Sequence, residues 1–278
     1  MNPFLLRQAL TIFINEDMGF GDASASLFGG QQVQGQFIAK TSGYFCGQQI
    51  PQTCYDLLGN ADYQPLLPDG APVKPGTICG RATGDAATIL AGERIILNLM
   101  QRLSGITTTT QAAVALLADP TIKITDTRKT APGLRLFDKY AVRCGGGVNH
   151  RFGLDQGLML KDNHLAAAGG VSKALKLAQA TAGPLLQIEV EVETKKQLLA
   201  AIKQHAQVIM FDNQSPATIK AWQQLVPATT RTEASGGIDA TNLASYRHCG
   251  VDFISMGSLT NDVRPLDLSF NLLGVTKK

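Results

Sequence analysis

Residues 186–213 read LQIEVEVETKKQLLAAIKQHAQVIMFDN, and this stretch decides the fold. Leu186, Ile188, Val190 and Val192 alternate with Gln187, Glu189, Glu191 and Glu193. That is period two, a strand with one apolar face and one acidic face. Thr194 then has the chemistry of an N-cap, and residues 194–205 carry apolar positions at helical spacing. The apolar run 208–211 follows and ends in Asp212-Asn213. Strand, helix and strand at this spacing form a parallel βα unit.

The same unit recurs on both sides. Strands are predicted at 122–125, 158–160, 186–192, 208–211, 229–232 and 253–255. Helices are predicted at 132–143, 172–181, 194–205, 215–225 and 239–248, with Ser172, Thr194, Ser215 and Asp239 as N-caps. Before Pro120 the pattern differs. Asn2-Pro3 opens a helix with Phe4, Leu5, Leu6, Ala9, Leu10 and Phe13 at helical spacing. Residues 33–80 alternate short β-like runs with turns, and Pro65, Pro68, Pro72 and Pro75 exclude a long helix there. A helix over 86–103 is expected to stop at Gly105, and a second, 107–118, at Asp119-Pro120. The expected fold class is α/β: a β-rich N-terminal domain, then a βα barrel. The alternative is an open doubly wound sheet. It loses weight because neither GxGxxG after a first strand nor GxxxxGK[ST] is present.

The composition is that of a soluble globular protein, 44% hydrophobic and 17% charged over 278 residues. No apolar run reaches the length of a membrane span. Arg7, Glu16 and Asp17 interrupt the N-terminal apolar residues, so no signal peptide is expected. The net charge of +3 and the lack of a basic stripe with aromatics argue against a nucleic-acid partner. The five cysteines are odd in number, and no pair has metal-ligand spacing, so free thiols in a reducing cytoplasm are expected. Cys144 lies in a basic segment without an accompanying base, which favours packing over nucleophilic chemistry.

Polar residues collect where the strands end. The first strand leads into Asp126, Arg128 and Lys129, the second into Lys161-Asp162, and the fourth into Asp212-Asn213. The fifth leads through Glu233 to Ser235-Gly236-Gly237, and the sixth to Gly257-Ser258. In a βα barrel these ends share one rim, where active sites sit. Residues 123–164 hold eight Lys or Arg against four Asp or Glu, which points to a small polyanionic ligand. Arg128, Lys129, Arg151 and Lys161 suit carboxylates or phosphates. His150, between Asn149 and Arg151, either donates to such a ligand or is structural. The acidic face of 186–193 either points into the barrel, where Glu191 and Asp212 could hold Mg²⁺, or is the wet face of an edge strand. Ser235-Gly236-Gly237 and Gly257-Ser258 suit phosphate, or are turns. Gly145–Gly147 reads best as the stop of the preceding helix.

Several of these motifs together resemble the quinolinate phosphoribosyltransferase family, also called nicotinate-nucleotide pyrophosphorylase (carboxylating). They are TRKT (127–130), PGLR (132–135), KYAVRCGGGVNHR (139–151), KDNH (161–164), EVEVE (189–193), DN (212–213), EASGGI (233–238) and SMGSLT (255–260). GERIILNLMQRLSGIT (92–107) looks like the family's inter-domain helix, and EDMGFGDAS (16–24) like its N-terminal motif. The resemblance runs in order through nearly the whole chain.

It implies an N-terminal α/β sandwich domain, residues 1–106, joined by the C-terminal tail 265–278. It also implies an incomplete TIM-like α/β barrel, residues 107–264. The implied reaction converts quinolinate and phosphoribosyl pyrophosphate, with Mg²⁺ and no organic cofactor, to nicotinate mononucleotide, pyrophosphate and CO₂. By motif, Arg128, His150, Arg151 and Lys161 would bind the quinolinate carboxylates. Lys129, with Arg94 from the partner of a homodimer or a higher oligomer, would face the pyrophosphate. Glu191 and Asp212 would hold ribose hydroxyls and Mg²⁺, and Ser235, Gly236, Gly237, Gly257 and Ser258 the 5′-phosphate. Lys129, Lys161, Glu191 and Asp212 are the implied catalytic set. One departure is Asn261, where many bacterial members carry histidine after LT. Rival readings are a same-fold paralogue with another substrate, a Schiff-base aldolase using Lys161, and a non-catalytic sugar-phosphate sensor.

Overall fold

The computed structural model describes residues 1–275; residues 276–278 of the tail lie outside the described residues. Asn2 caps the first helix through its side-chain oxygen, 3.0 Å from the Phe4 backbone nitrogen, and Pro3 follows it. Helix α1 (Pro3–Met18) buries Leu6, Leu10 and Ile14 along one stripe. After the short α2 (Ala25–Phe28) come β1 (Gln32–Ala39), β2 (Gly43–Tyr44), α3 (Ile50–Leu58), β3 (Ala61–Pro65), β4 (Pro72–Val73) and β5 (Ile78–Asp85). Helix α3 was not foreseen; it is short, and Pro51 falls at its first turn, where proline is tolerated.

Helix α4 (Ala86–Leu117) corrects the expectation of two helices parted at Gly105. It runs unbroken for 32 residues, and Gly105 lies inside it. The glycine answers to packing and not to helix termination. A Cβ there would stand 2.2 Å from the Arg264 carbonyl oxygen and 3.0 Å from the Pro265 Cα. The returning chain crosses the helix where only hydrogen fits.

The remaining elements are β6 (Lys123–Thr125), α5 (Arg135–Cys144), β7 (Leu158–Leu160), α6 (Asp162–Ala168), α7 (Val171–Thr181), β8 (Ile188–Val192), α8 (Lys195–Lys203), β9 (Val208–Asp212), α9 (Pro216–Gln223), β10 (Arg231–Ser235), β11 (Phe253–Ser255), α10 (Ser258–Asn261) and β12 (Leu268–Val275). Thr194 and Ser215 cap α8 and α9 as expected. Ser172 does not cap α7, which starts one residue earlier at Val171 after Gly170. The expected helix 239–248 shrinks to a 3₁₀ turn, Leu243–Tyr246. Asp239 takes the Thr241 backbone N–H at 2.8 Å, and Asn242 takes that of Asp239 at 3.0 Å. These are capping bonds, and the Leu243 N–H donates to the Asp239 carbonyl at 2.9 Å, so Asp239 does open a helical turn, but the helix is not continued beyond Tyr246.

β6 to β11 form one parallel sheet in the order β6-β11-β10-β9-β8-β7. Each strand neighbours its successor in sequence, except that the last pairs with the first. A doubly wound sheet reverses direction at a switch point. Here the order is a ring open at one seam, between β6 and β7, which is the topology of an incomplete barrel. A second sheet, β12-β1-β5-β3, is antiparallel. β12 pairs with β1 from Val33 opposite Val275 to Ala39 opposite Leu268. Residues 268–275 thus add a strand to the N-terminal sheet. Phe37 centres that core, its ring 4.7 Å from Phe270 and 5.9 Å from Tyr63.

The chain divides into two compact units. One holds residues 1–111, 131–146 and the segment from Asp262; the other holds 112–130 and 147–261. Helix α5 lies between two barrel strands in sequence yet belongs to the first unit. Its Asp138, fully buried, is held by Arg102 at 2.7 Å, and its Ala141 carbonyl accepts from Thr107 at 3.0 Å.

Gly105→Ala adds a residue worth about 1 kcal/mol in helix propensity. The crossing chain should more than cancel this gain, for a net loss of roughly 1–3 kcal/mol, the usual size of an overpacking penalty. Urea unfolding measures it. A raised midpoint would mean that the chain at Arg264 gives way freely.

Candidate active site

β8 fixes the acidic face. It lies between β7 and β9, so it is not an edge strand, and the reading of a wet acidic face fails. Ile188, Val190 and Val192 are buried, and the alternate residues Glu189 and Glu191 line the interior cavities of the barrel. Parallel register sets Glu191 opposite Met210 on β9, and Met210 opposite Glu233 on β10. Three carboxylates therefore stand inside the ring. Glu189 and Glu233 are only 8% and 4% exposed.

Each is held at a cost. Lys161, just after β7, reaches Glu191 Oε1 with Nζ at 2.7 Å. Burial pushes the Glu191 carboxyl up, and Lys161 pulls it back. His150 Nε2 lies 3.1 Å from Glu189 Oε2 and 3.9 Å from Glu233 Oε1. Burial, then the Glu189 charge, pushes Glu233 up to about 8 against the opposing pull of His150.

His150 itself is braced. Its backbone N–H donates to Asp126 Oδ1 at 3.0 Å, and its Nδ1 accepts the Arg151 backbone N–H at 2.8 Å. With Nδ1 accepting, the ring proton belongs on Nε2, facing Glu189. Asp126 is fully buried at the end of β6 and also accepts from Asn149 Nδ2 at 2.5 Å. These residues carry the loop that presents Arg151.

The basic residues face the same space. Arg128, Lys129, His150, Arg151 and Lys161 line one cavity of about 410 Å³. Glu191, Asp212 and Ser235-Gly236-Gly237 line its other side. The Nε–H groups of Arg128 and Arg151 are buried without a hydrogen-bond partner. Burial and the Arg128 charge both depress Arg151. Two half-buried, like-charged guanidinium groups, each with a buried and unsatisfied Nε–H, suit an anionic ligand. Lys161 grips a carboxylate, an arrangement for an ammonium rather than for the neutral amine of a Schiff-base aldolase.

The glycine loop after β10 is shaped by contact. Gly236 has φ +93°, and a Cβ there would lie 2.2 Å from Asn213 Oδ1. The helix expected at 239–248 does not follow that loop; only the 3₁₀ turn comes after it. Gly257 and Ser258 do not line the cavity, although a Cβ on Gly257 would meet Lys129 Cδ at 3.0 Å. Asn261 ends the four-residue α10 and is exposed.

Arg94 is not among these residues. It is exposed on α4 in the first unit, beside the buried Ile95, Ile96 and Leu97. There it lines a separate cavity with Asp17, Asp22 and Ser24. His164 accepts the Lys161 backbone N–H at 3.0 Å and caps the unforeseen α6. From sequence, Asp126 falls on the rim without a role, and Glu189 and Asn149 have none. The alternation that exposed Glu191 pointed equally to Glu189, two positions away.

Comparisons with known proteins agree over both units. The model of the quinolinate phosphoribosyl transferase N-terminal domain matches residues 22–104, and that of the C-terminal domain residues 106–271. A probable nicotinate-nucleotide pyrophosphorylase [carboxylating] of Bacillus subtilis is 48% identical over 275 residues, covering 98% of this chain and 95% of that protein. The nicotinate-nucleotide pyrophosphorylase [carboxylating] of Mycobacterium leprae is 37% identical, covering 96% of each. The crystal structure of NadC from Streptococcus pyogenes superposes with a TM-score of 0.93 at 38% identity, covering 99% of this chain and 98% of that one.

A carboxyl that titrates near 8 in the fold and near 4.5 when unfolded binds an extra proton in the native state between those values. Stability then falls as pH rises through that window. Glu233→Gln removes the exchange. We expect wild type to lose stability relative to this variant from about pH 5 to about 8, at up to about 1.4 kcal/mol per pH unit. Urea midpoints across that range test it. A pH-independent difference would mean that Glu233 is ionised throughout.

Proposed function

Because the chain belongs to the quinolinate phosphoribosyltransferase family, we propose that its rim cavity joins quinolinate to phosphoribosyl pyrophosphate and yields nicotinate mononucleotide, pyrophosphate and CO₂. The observation that carries this reading is one cavity faced by the unpartnered N–H donors of Arg128 and Arg151 and by the carboxylates of Glu191 and Asp212. A dicarboxylate suits the first pair, and a ribose with its metal suits the second.

Arg128, Arg151 and Lys161 clamp the two quinolinate carboxylates. His150 belongs to the same clamp and orients Arg151 through its backbone. Holding the ring nitrogen close to the ribose C1 converts an encounter into an intramolecular attack. Glu191 and Asp212 face the ribose hydroxyls. They are hard oxygen donors of the kind Mg²⁺ takes, and Lys161 fixes one oxygen of Glu191. Mg²⁺, when bound, supplies positive charge to the departing pyrophosphate. Lys129, with Arg94 of a partner subunit, adds cations there. Ser235, Gly236 and Gly237 bind the 5′-phosphate through backbone N–H groups. Gly257, beside Lys129, and Ser258 lie outside the cavity lining and reach that phosphate only where it extends past the lining. Asn261 donates a hydrogen bond without charge.

As the new C–N bond forms, the ring nitrogen becomes positive. Its positive charge stabilises the electron pair left on the adjacent carbon when the carboxylate there departs as CO₂, and the carbon then takes a proton from solvent, so no organic cofactor is required. The enzyme is cytoplasmic and homodimeric. All five cysteines are free thiols, in keeping with a reducing compartment. No helix among the described residues is long and apolar enough to cross a membrane.

Pyrophosphate release should require quinolinate, phosphoribosyl pyrophosphate and Mg²⁺ together, and nicotinate mononucleotide should be the product by mass. Undiminished turnover in chelator would remove the metal from the account. Arg151→Lys keeps a charge but loses the planar fork. It should weaken quinolinate binding by roughly 1–3 kcal/mol and leave phosphoribosyl pyrophosphate affinity nearly unchanged; calorimetric titration with each substrate separates the two. Arg94→Ala and Lys161→Ala should each be nearly inactive. Mixed and reassembled, they should recover part of the activity by forming one intact site. Confirmed heterodimers without recovery would place Arg94 in its own subunit's service.

A further inference from the structure

Outside the rim cavity, three metal-ligating side chains converge within the first unit. Cys46 Sγ, Cys144 Sγ and an Asp69 oxygen all lie within 4.8 Å of one another. No sequence spacing links them, since they come from the segment after β2, the turn before β4 and the last residue of α5.

The surroundings order these donors. The Cys46 backbone is clamped by Ser104, whose Oγ accepts from Cys46 N at 2.9 Å and donates to Cys46 O at 3.2 Å. Asp69 Oδ1 accepts the backbone N–H groups of Gly47 and Gln48 at 2.7 and 2.9 Å. Asp69 Oδ2 accepts from the Tyr140 hydroxyl at 2.5 Å, and Tyr140 lies one helical turn before Cys144. A Cβ on Gly70 would stand 3.1 Å from the Cys144 carbonyl oxygen, so the two segments meet closely. Outer hydrogen bonds that fix a ligating carboxylate are a regular part of metal sites.

We propose that Cys46, Cys144 and Asp69 bind one thiophilic divalent cation of the zinc class. Two sulfurs and one carboxylate oxygen suit zinc or cadmium and do not suit Mg²⁺, which takes oxygen ligands. In a tetrahedral site with metal–sulfur bonds of about 2.3 Å, ligand atoms sit roughly 3.5–4 Å apart, so the cluster closes by about 1 Å. The fourth position falls to water. Binding forms two sulfur–metal bonds and releases two thiol protons to solvent, with no change of oxidation state. Occupancy anchors the helix end from which the chain runs through Gly145–Gly147 to Asn149-His150-Arg151.

The test is a Cd²⁺ titration of the reduced full chain in excess Mg²⁺, followed by the thiolate-to-cadmium ultraviolet band. The band should saturate at one ion per chain, and Zn²⁺ should abolish it by competition and raise the melting temperature. Cys144→Ser should lose saturable binding. Cys144→His, which keeps a ligand, should retain one ion with about half the absorption, since one of the two thiolates is gone. Asp69→Asn should weaken affinity by roughly tenfold or more. Cys249→Ala, in the other unit, should change nothing. Cys46→Ala is an additional variant; the Cys144 pair carries the test if it does not fold. No band in the wild type, or the same stoichiometric band in Cys144→Ser, would overturn the proposal.

Discussion

The ion pair between Lys161 and Glu191 stands at the mouth of a barrel whose interior carries three carboxylates. A carboxylate taken from water into a protein core is costly unless cations or protons accompany it. Three devices meet that cost here. Lys161 pairs with Glu191, His150 sits beside Glu189, and Glu233 holds a proton near neutral pH. The same cations that offset the carboxylates then face a ligand. The arrangement is therefore structural and functional together, and removing either sign of charge leaves the other buried without compensation.

Position within this charged core separates the roles of similar residues. Arg128 and Arg151 keep buried N–H donors that no protein atom satisfies, whereas Asp126 has both of its named donors in place. Satisfied groups hold the frame, and unsatisfied ones suit the anion proposed for the cavity. His150 does both, since its Nδ1 accepts from the Arg151 backbone while its ring lines that cavity.

Much of the barrel was legible because its strands are short, apolar and followed by capped helices. The alternation at Ile188 to Val192 named the inward acidic face, and Thr194 and Ser215 marked helix starts. What failed were signals with two physical causes. Gly105 reads as a stop, yet it is a crossing point, and only the Arg264 carbonyl reveals that. Asp239 reads as the cap of a long helix, yet the turn that it caps ends at Tyr246. The roles of Glu189, Asp126 and Asn149 were not legible because their partners lie far along the chain. The convergence of Cys46, Asp69 and Cys144 was invisible for the same reason.

The central claim is that one cavity binds a dicarboxylate and forms the carbon–nitrogen bond that lets the adjacent carboxylate leave. Quinolinate labelled in the carboxylate next to the ring nitrogen tests it most directly. Labelled CO₂ should be released only when phosphoribosyl pyrophosphate is present, one for each pyrophosphate formed. Release without phosphoribosyl pyrophosphate, or pyrophosphate formation with the label retained in the nucleotide, would contradict the account.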